Sequence, residues 1–198
     1  MSSPSPRSQT QTDRRSEIAE AALRVLGREG HVGLTARKVA AEAGLALGHI
    51  TYNFSGMDEV LSEAYRLLAA RLRQASDATT TAASPEARLS AFLRAGFSED
   101  FLTPAHIRTR IDLWSAASAH PAVAKTEREL YTHYRSRLED LLAPLVDAPK
   151  VQPVTDMIMA TLDGLWLDWM RRRDSSAIEN GLAQISAFVA LQPRPPTP

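Results

Sequence analysis

Between Thr35 and Asn53 the chain carries a dense set of side chains able to hydrogen-bond, stack and carry charge: Thr35, Arg37, Lys38, Leu47, Gly48, His49, Thr51, Tyr52 and Asn53. Arg37 offers a guanidinium fork that matches the O6 and N7 acceptors of guanine. Lys38 offers a point charge suited to phosphate, and Tyr52 a hydroxyl for phosphate or a ring for a thymine methyl. His49, Thr51 and Asn53 add donors and acceptors, Leu47 an apolar tip and Gly48 a bare backbone. Groups of this kind read base edges and hold a nucleic-acid backbone. The competing reading is packing against a neighbouring helix, strongest for Leu47, or plain solvation for Arg37.

Two short helices must position this set. Thr35 is a good N-cap for a helix running through Ala43, and Gly44 ends it where a positive φ is needed. A second helix, Ala46 to Asn53, can then leave at a steep angle. Val39, Ala40 and Ala43 line the inner face of the first helix, and Leu45, Ile50 and Phe54 that of the turn and second helix. This spacing predicts a helix-turn-helix whose second member turns Leu47, Gly48, His49, Thr51, Tyr52 and Asn53 outward toward a major groove. An αα-corner with a glycine, found in many helical proteins, is the alternative. The flanks favour the first reading. Upstream, Asp13 to Glu29 carries Ile18, Ala21, Ala22, Val25 and Leu26 at helical spacing, with Gly30 as a stop signal. Downstream, Ser55-Gly56 breaks the pattern before Met57 to Ala75 resumes it with Val60, Leu61, Ala64, Leu67, Leu68 and Leu72.

The stretch from about Arg14 to Leu72 resembles the tetracycline-repressor (TetR) family of bacterial transcription regulators. The resemblance rests on Gly30, Leu34-Thr35, Ala43-Gly44, Gly48, Ile50, Tyr52 and Phe54. Trp114 to Pro121 (WSAASAHP) and Leu162 to Leu167 (LDGLWL) look like the choline-responsive BetI subgroup. The resemblance implies a base contact from the position of Arg37. It also exposes two departures: the family usually has a phosphate-binding lysine where Met57 stands, and often tyrosine where Thr51 stands.

Composition bounds the alternatives. The 198 residues include no cysteine, which excludes disulfides, thiolate catalysis and cysteine-based zinc sites. Formal net charge is zero, and up to Met57 seven Arg and Lys face five acids, a modest bias for a nucleic-acid binder. Arg14 and Arg15 sit at the base of an expected flexible arm, residues 1–12, and Arg7 on that arm is a candidate minor-groove contact. No run of eighteen apolar residues and no signal-peptide pattern occur, so a cytoplasmic protein without membrane contact is expected. His106, His120 and His133 coexist with acids. No zinc-protease, nucleophile-elbow or phosphate-loop motif accompanies them, so no catalysis, cofactor or metal is expected.

The remainder reads as helical. Ser84-Pro85, Thr103-Pro104 and His120-Pro121 each open a helix with proline in its first turn. Pro149 and Pro153 bracket a break, after which helices over Val154–Arg173 and Ala177–Leu191 are expected. The total is about nine helices in an all-α fold. The expected division is a helix-turn-helix domain over 13–57, a connecting helix over 57–78, an effector-binding and dimerisation domain over 79–192 and a disordered tail over 193–198.

In the resembling family the last two helices build a four-helix dimer interface. The large apolar residues Ile158, Leu165, Trp169, Ile185, Phe188 and Val189 exceed what an edge pair should expose, which supports a homodimer. The family also surrounds a ligand cavity with the helices that here carry Phe92, Phe97, Tyr131, Tyr134, Trp114 and Trp166, with Asp112 and Asp163 nearby. An aromatic wall with a carboxylate suits a cation; ordinary core is the competing reading. The expectation is a homodimeric repressor on a palindromic double-stranded operator, its fourth helix acting as a lever, released by a small-molecule effector. A helical protein-interaction module, or less favourably a small helical enzyme, is the alternative.

Overall fold

A computed structural model describes residues 6–78 and 84–195. Among them it contains nine α-helices and no strand: α1 (Pro6–Gly33), α2 (Ala36–Glu42), α3 (Leu47–Asn53), α4 (Met57–Ala78), α5 (Pro85–Ala95), α6 (Pro104–Ala119), α7 (Pro121–Leu142), α8 (Ala148–Arg172) and α9 (Ser175–Ala190). The all-α reading and the proline-marked starts of α5, α6 and α7 agree with the sequence. Ser84 also caps α5, its hydroxyl accepting from the Ala87 amide at 3.1 Å.

Other boundaries differ. α1 begins at Pro6, so the second half of the expected arm is helical. A polar stretch such as RSQTQT has no apolar stripe to announce a helix, yet proline is well suited to the first helical position. Residues 1–5, the side chain of Arg7 and residues 196–198 lie outside the described part. α8 begins at Ala148, and Pro149 and Pro153 stand inside it. Pro149 falls in the first turn, where its missing amide would have had no partner, and Pro153 leaves only one carbonyl without its helical donor. Asp147 caps this helix, and its own amide donates to the Pro193 carbonyl at 2.7 Å. Arg194 pairs with Glu86 at 3.2 Å, so the start of the expected tail is held in place.

Packing divides the chain into two compact units. The first comprises residues up to Arg71 with Pro104–Leu130, the second Leu72–Thr103 with the residues from Tyr131 onward. The core of the first is built from Ile18, Ala22 and Leu26 of α1, Val39 and Ala40 of α2, Ile50 of α3, Phe54, and Val60, Leu61 and Leu68 of α4. Leu113 and Ala116 of α6 and Val123 of α7 complete it. Each fully buried large side chain contributes about 1.5–3 kcal/mol. α6 comes close enough to α1 that a Cβ at Gly27 would meet the Ala105 methyl at 3.2 Å. At Gly30 α1 kinks, with φ 74° and ψ 178°. There the His31 amide donates to Asp112 Oδ2 at 3.1 Å.

In the second unit α8 and α9 bury Ile158, Leu162, Trp166, Trp169, Ile178, Leu182, Ile185 and Val189. Gly181 of α9 lies against Leu165, whose Cδ2 would stand 2.6 Å from an added Cβ.

Candidate nucleic-acid interface

The α2–turn–α3 corner is fixed by its capping. Thr35, with φ −134° and ψ 153°, accepts from the Lys38 amide at 3.3 Å and so starts α2. At the other end the Gly44 amide reaches the Ala41 carbonyl at 3.2 Å and the Leu45 amide the Ala40 carbonyl at 2.9 Å. Gly44 has φ +67° and no atom within 4 Å of where a Cβ would stand. The turn therefore requires glycine for its backbone alone. Val39, Ala40 and Ile50 are buried, which leaves the opposite face of α3 uncovered.

That face carries Leu47, Gly48, His49, Thr51 and Tyr52, all exposed, Tyr52 at 80%. Thr51 donates back to the Gly48 carbonyl at 3.2 Å, and nothing lies within 4 Å of a Cβ at Gly48. Asn53 does not belong to the set. It is 7% exposed, its side-chain amide donates to the His49 carbonyl at 2.8 Å, and its own carbonyl accepts from Arg15. Seven residues make barely two turns, so the last position of α3 faces inward and closes the helix rather than presenting outward.

Charge is distributed unevenly around this face. Arg24 and Arg28 both pair with Glu42, Lys38 pairs with Glu29, and Arg14 with Glu17. The Arg28 hydrogen bond, with that of Arg24, holds the Glu42 carboxyl below its ordinary range. Arg37 is exposed on the first turn of α2 and has no carboxylate partner among the described residues. Arg15, expected at the base of a flexible arm, instead clamps the end of α3. It bonds Asn53, reaches Glu59 at 2.8 Å and lies 4.1 Å over the Phe54 ring. Glu59 in turn accepts from the Ser55 amide at 2.8 Å and its hydroxyl at 2.9 Å. The Ser55 amide first, then Arg15 and the Ser55 hydroxyl, hold the Glu59 carboxyl down at about 2. These roles join residues 38 and 44 positions apart, which no local pattern reveals.

The geometry is that of a helix-turn-helix with an uncovered second helix. A family model of bacterial regulatory proteins, tetR family, matches residues 18–64, and one described as BetI-type transcriptional repressor, C-terminal, matches residues 85–193. The chain belongs to the TetR family. It is a DNA-binding transcriptional regulator with a C-terminal region of the BetI type, and its relatives are regulators, not enzymes. One is the HTH-type transcriptional regulator BetI of Rhizobium meliloti (strain 1021), 27% identical over 177 residues, which cover 89% of this chain and 87% of that one. The crystal structure of a protein assigned as a transcriptional regulator from Pseudomonas aeruginosa PAO1 superposes with a TM-score of 0.75 at 30% identity, covering 90% and 89% of the two chains. A Saccharomonospora viridis protein, also assigned as a transcriptional regulator and solved in complex with choline, shares the fold with a TM-score of 0.74 at 17% identity, covering 91% and 97%.

Against the TetR pattern, Met57 packs partly buried against the core of the first unit. The expected effector residues fall into two groups. Asp112 and Trp114 belong to the first unit, where Asp112 holds the α1 kink and Trp114 packs on the core with Arg110 5.2 Å from its ring. In the second unit Phe92 lies 4.8 Å from Tyr134 and Phe97 stacks 4.6 Å from Trp166, while Asp163 is half-buried and Tyr131 exposed. The expected dimer residues are largely interior. Ile158, Trp169, Ile185 and Val189 are buried within one chain and Leu165 is seated on Gly181, which leaves Phe188 exposed. Apolar surplus on two helices was absorbed by the chain's own core. Met170 and Leu191, not singled out by spacing, are exposed.

Proposed function

We propose that the protein is a homodimeric repressor that sets one α3 into each of two successive major grooves of a palindromic operator and leaves it when a small molecule binds the second unit. The observation that carries this reading is the pairing of the uncovered α3 face with Arg37, whose charge no carboxylate among the described residues takes up. Arg37, Lys38, Thr35, Leu47, Gly48, His49, Thr51 and Tyr52 are the contact set. Exposed Met170, Phe188 and Leu191 on and after the last two helices support self-association. The ring pairs Phe92–Tyr134 and Phe97–Trp166, with Asp163 on α8, support an effector that is an organic cation. The choline complex of the Saccharomonospora viridis relative makes choline the first probe. No helix among the described residues is long and apolar enough to cross a membrane, and such a regulator acts in the cytoplasm.

Footprinting on DNA flanking the protein's own gene tests this function. Two protected half-sites about 34–36 Å apart, or a multiple of that, are expected for a two-fold dimer. They should fade as choline is added. A single unpaired half-site would overturn the dimer reading, and protection indifferent to choline would remove choline as the effector.

A further inference from the structure

The uncovered side of α3 holds a stripe without charge. Leu47 and Thr51 are four residues apart and so stand one above the other, with the bare backbone of Gly48 beside them. All three are exposed, Leu47 at 44%. The Thr51 hydroxyl donates to the Gly48 carbonyl at 3.2 Å, so its one donor is spent within the helix and a methyl group and an acceptor remain. Gly48 is helical, and nothing lies within 4 Å of where its Cβ would stand. Glycine inside a helix is less stable than alanine, and no neighbour in the folded chain requires it there. Its bare backbone serves a partner that approaches α3 closely.

The hydrogen-bonding code of the major groove is read by carboxylates at cytosine, by Asn or Gln amides at adenine, and by Arg or Lys at guanine. Between Ala46 and Tyr52 the chain has none of these side chains. Asn53 comes next, but it is turned inward and bonded to the His49 carbonyl at 2.8 Å. The exposed fork nearest in sequence is Arg37, which belongs to α2. A lone exposed leucine needs no explanation on an ordinary surface. On a face that enters DNA it must be covered, and set against a phosphate or a polar base edge it would strip water without returning a hydrogen bond. The major groove offers one apolar group, the C5 methyl of thymine.

We infer that Leu47 and Thr51 determine specificity by reading thymine through its C5 methyl, so that α3 selects thymine by apolar contact while Arg37 selects guanine by hydrogen bonds. This rests on the operator reading proposed above and adds to it which bases each half-site must present. Contact between the stripe and a methyl removes apolar surface of both partners from water, and each methyl deleted from such a contact weakens binding about fourfold. One thymine in each of two symmetric half-sites makes that about 15-fold for the dimer.

The probe for the test is a duplex that the full chain selects from a random library of about 30 base pairs, long enough for two half-sites one helical turn apart. That duplex is remade with deoxyuridine for every thymidine, which removes the methyls and keeps every hydrogen-bonding edge, and both forms are titrated by fluorescence anisotropy. The uracil form should bind about 15-fold more weakly. Leu47→Ala and Thr51→Ser should each shrink that ratio by at least about threefold, whereas Thr51→Val keeps a methyl and should preserve it. Both residues are exposed, so none of these substitutions reaches the core. Equal binding of the two forms would overturn the inference and leave the operator reading standing. A ratio that persists in Leu47→Ala would also overturn it, since the methyls would then act through the shape of the duplex. Failure to select any sequence would instead remove the operator reading, and this inference with it.

Discussion

Arg37 and Lys38 are adjacent in the chain, but their charges are in different states. Lys38 is already held by Glu29, whereas Arg37 has no carboxylate beside it among the described residues. Arg37→Ala should therefore lose affinity for the operator by about 10- to 100-fold, in line with about 1–3 kcal/mol for a bidentate base contact. Glu29→Gln should act in the opposite sense, tightening DNA binding in a mobility-shift titration by freeing Lys38 for phosphate. Glu59 gives a prediction in pH. Its carboxyl is held at about 2 in the folded chain, below the ordinary 4.5, so its stabilisation is complete above about pH 4.5 and is lost as pH falls toward 2. Glu59→Gln should lower Tm at neutral pH and flatten the acid limb of a thermal-unfolding series across that window. An acid limb as steep as that of the unsubstituted protein would contradict the role given to Glu59. Asp112 was legible as a carboxylate near aromatic residues, but its partner His31 lies 81 positions away, and spacing along the chain carries no trace of that bond.

Two glycines set the geometry of elements for different reasons. Gly44 occupies φ +67° in open space, so Gly44→Ala should cost about 1–2 kcal/mol through backbone strain alone, measurable by urea unfolding. Gly181 lies where a Cβ would come within 2.6 Å of Leu165, so Gly181→Ala should cost about 1–3 kcal/mol by overpacking. Shortening Leu165 in the same chain, as Leu165→Ala, should recover part of that loss, and strictly additive losses would contradict the packing account. The helix-turn-helix and the proline-marked starts of α5, α6 and α7 were readable because caps, Gly44 and proline act within a few residues. The starts of α1 and α8 were not, since a polar first turn has no periodicity and a proline in a helix's early turns looks like a break. The inward turn of Asn53 and the burial of Ile158, Trp169, Ile185 and Val189 were equally hidden. Periodicity gives the apolar face of a helix but not whether the chain itself or a partner covers it.

At the scale of the whole molecule the account requires two states of a dimer, one with its α3 helices spaced for the operator and one stabilised by the effector. A hundredfold loss of operator affinity needs a coupling of about 2.7 kcal/mol. By linkage operator DNA must weaken effector binding by the same factor, and an unchanged effector affinity on the DNA-bound dimer would reject this scheme. Because the net charge is zero, affinity must come from local placement of cations rather than from an overall basic field. The most direct test of the central claim is fluorescence anisotropy of DNA flanking the protein's own gene, titrated with the full chain across a salt series beside Arg37→Ala and Tyr52→Ala. The account predicts an affinity that falls steeply with salt and drops at least about tenfold in each variant. Binding indifferent to both substitutions, or no binding at any salt concentration, would contradict it.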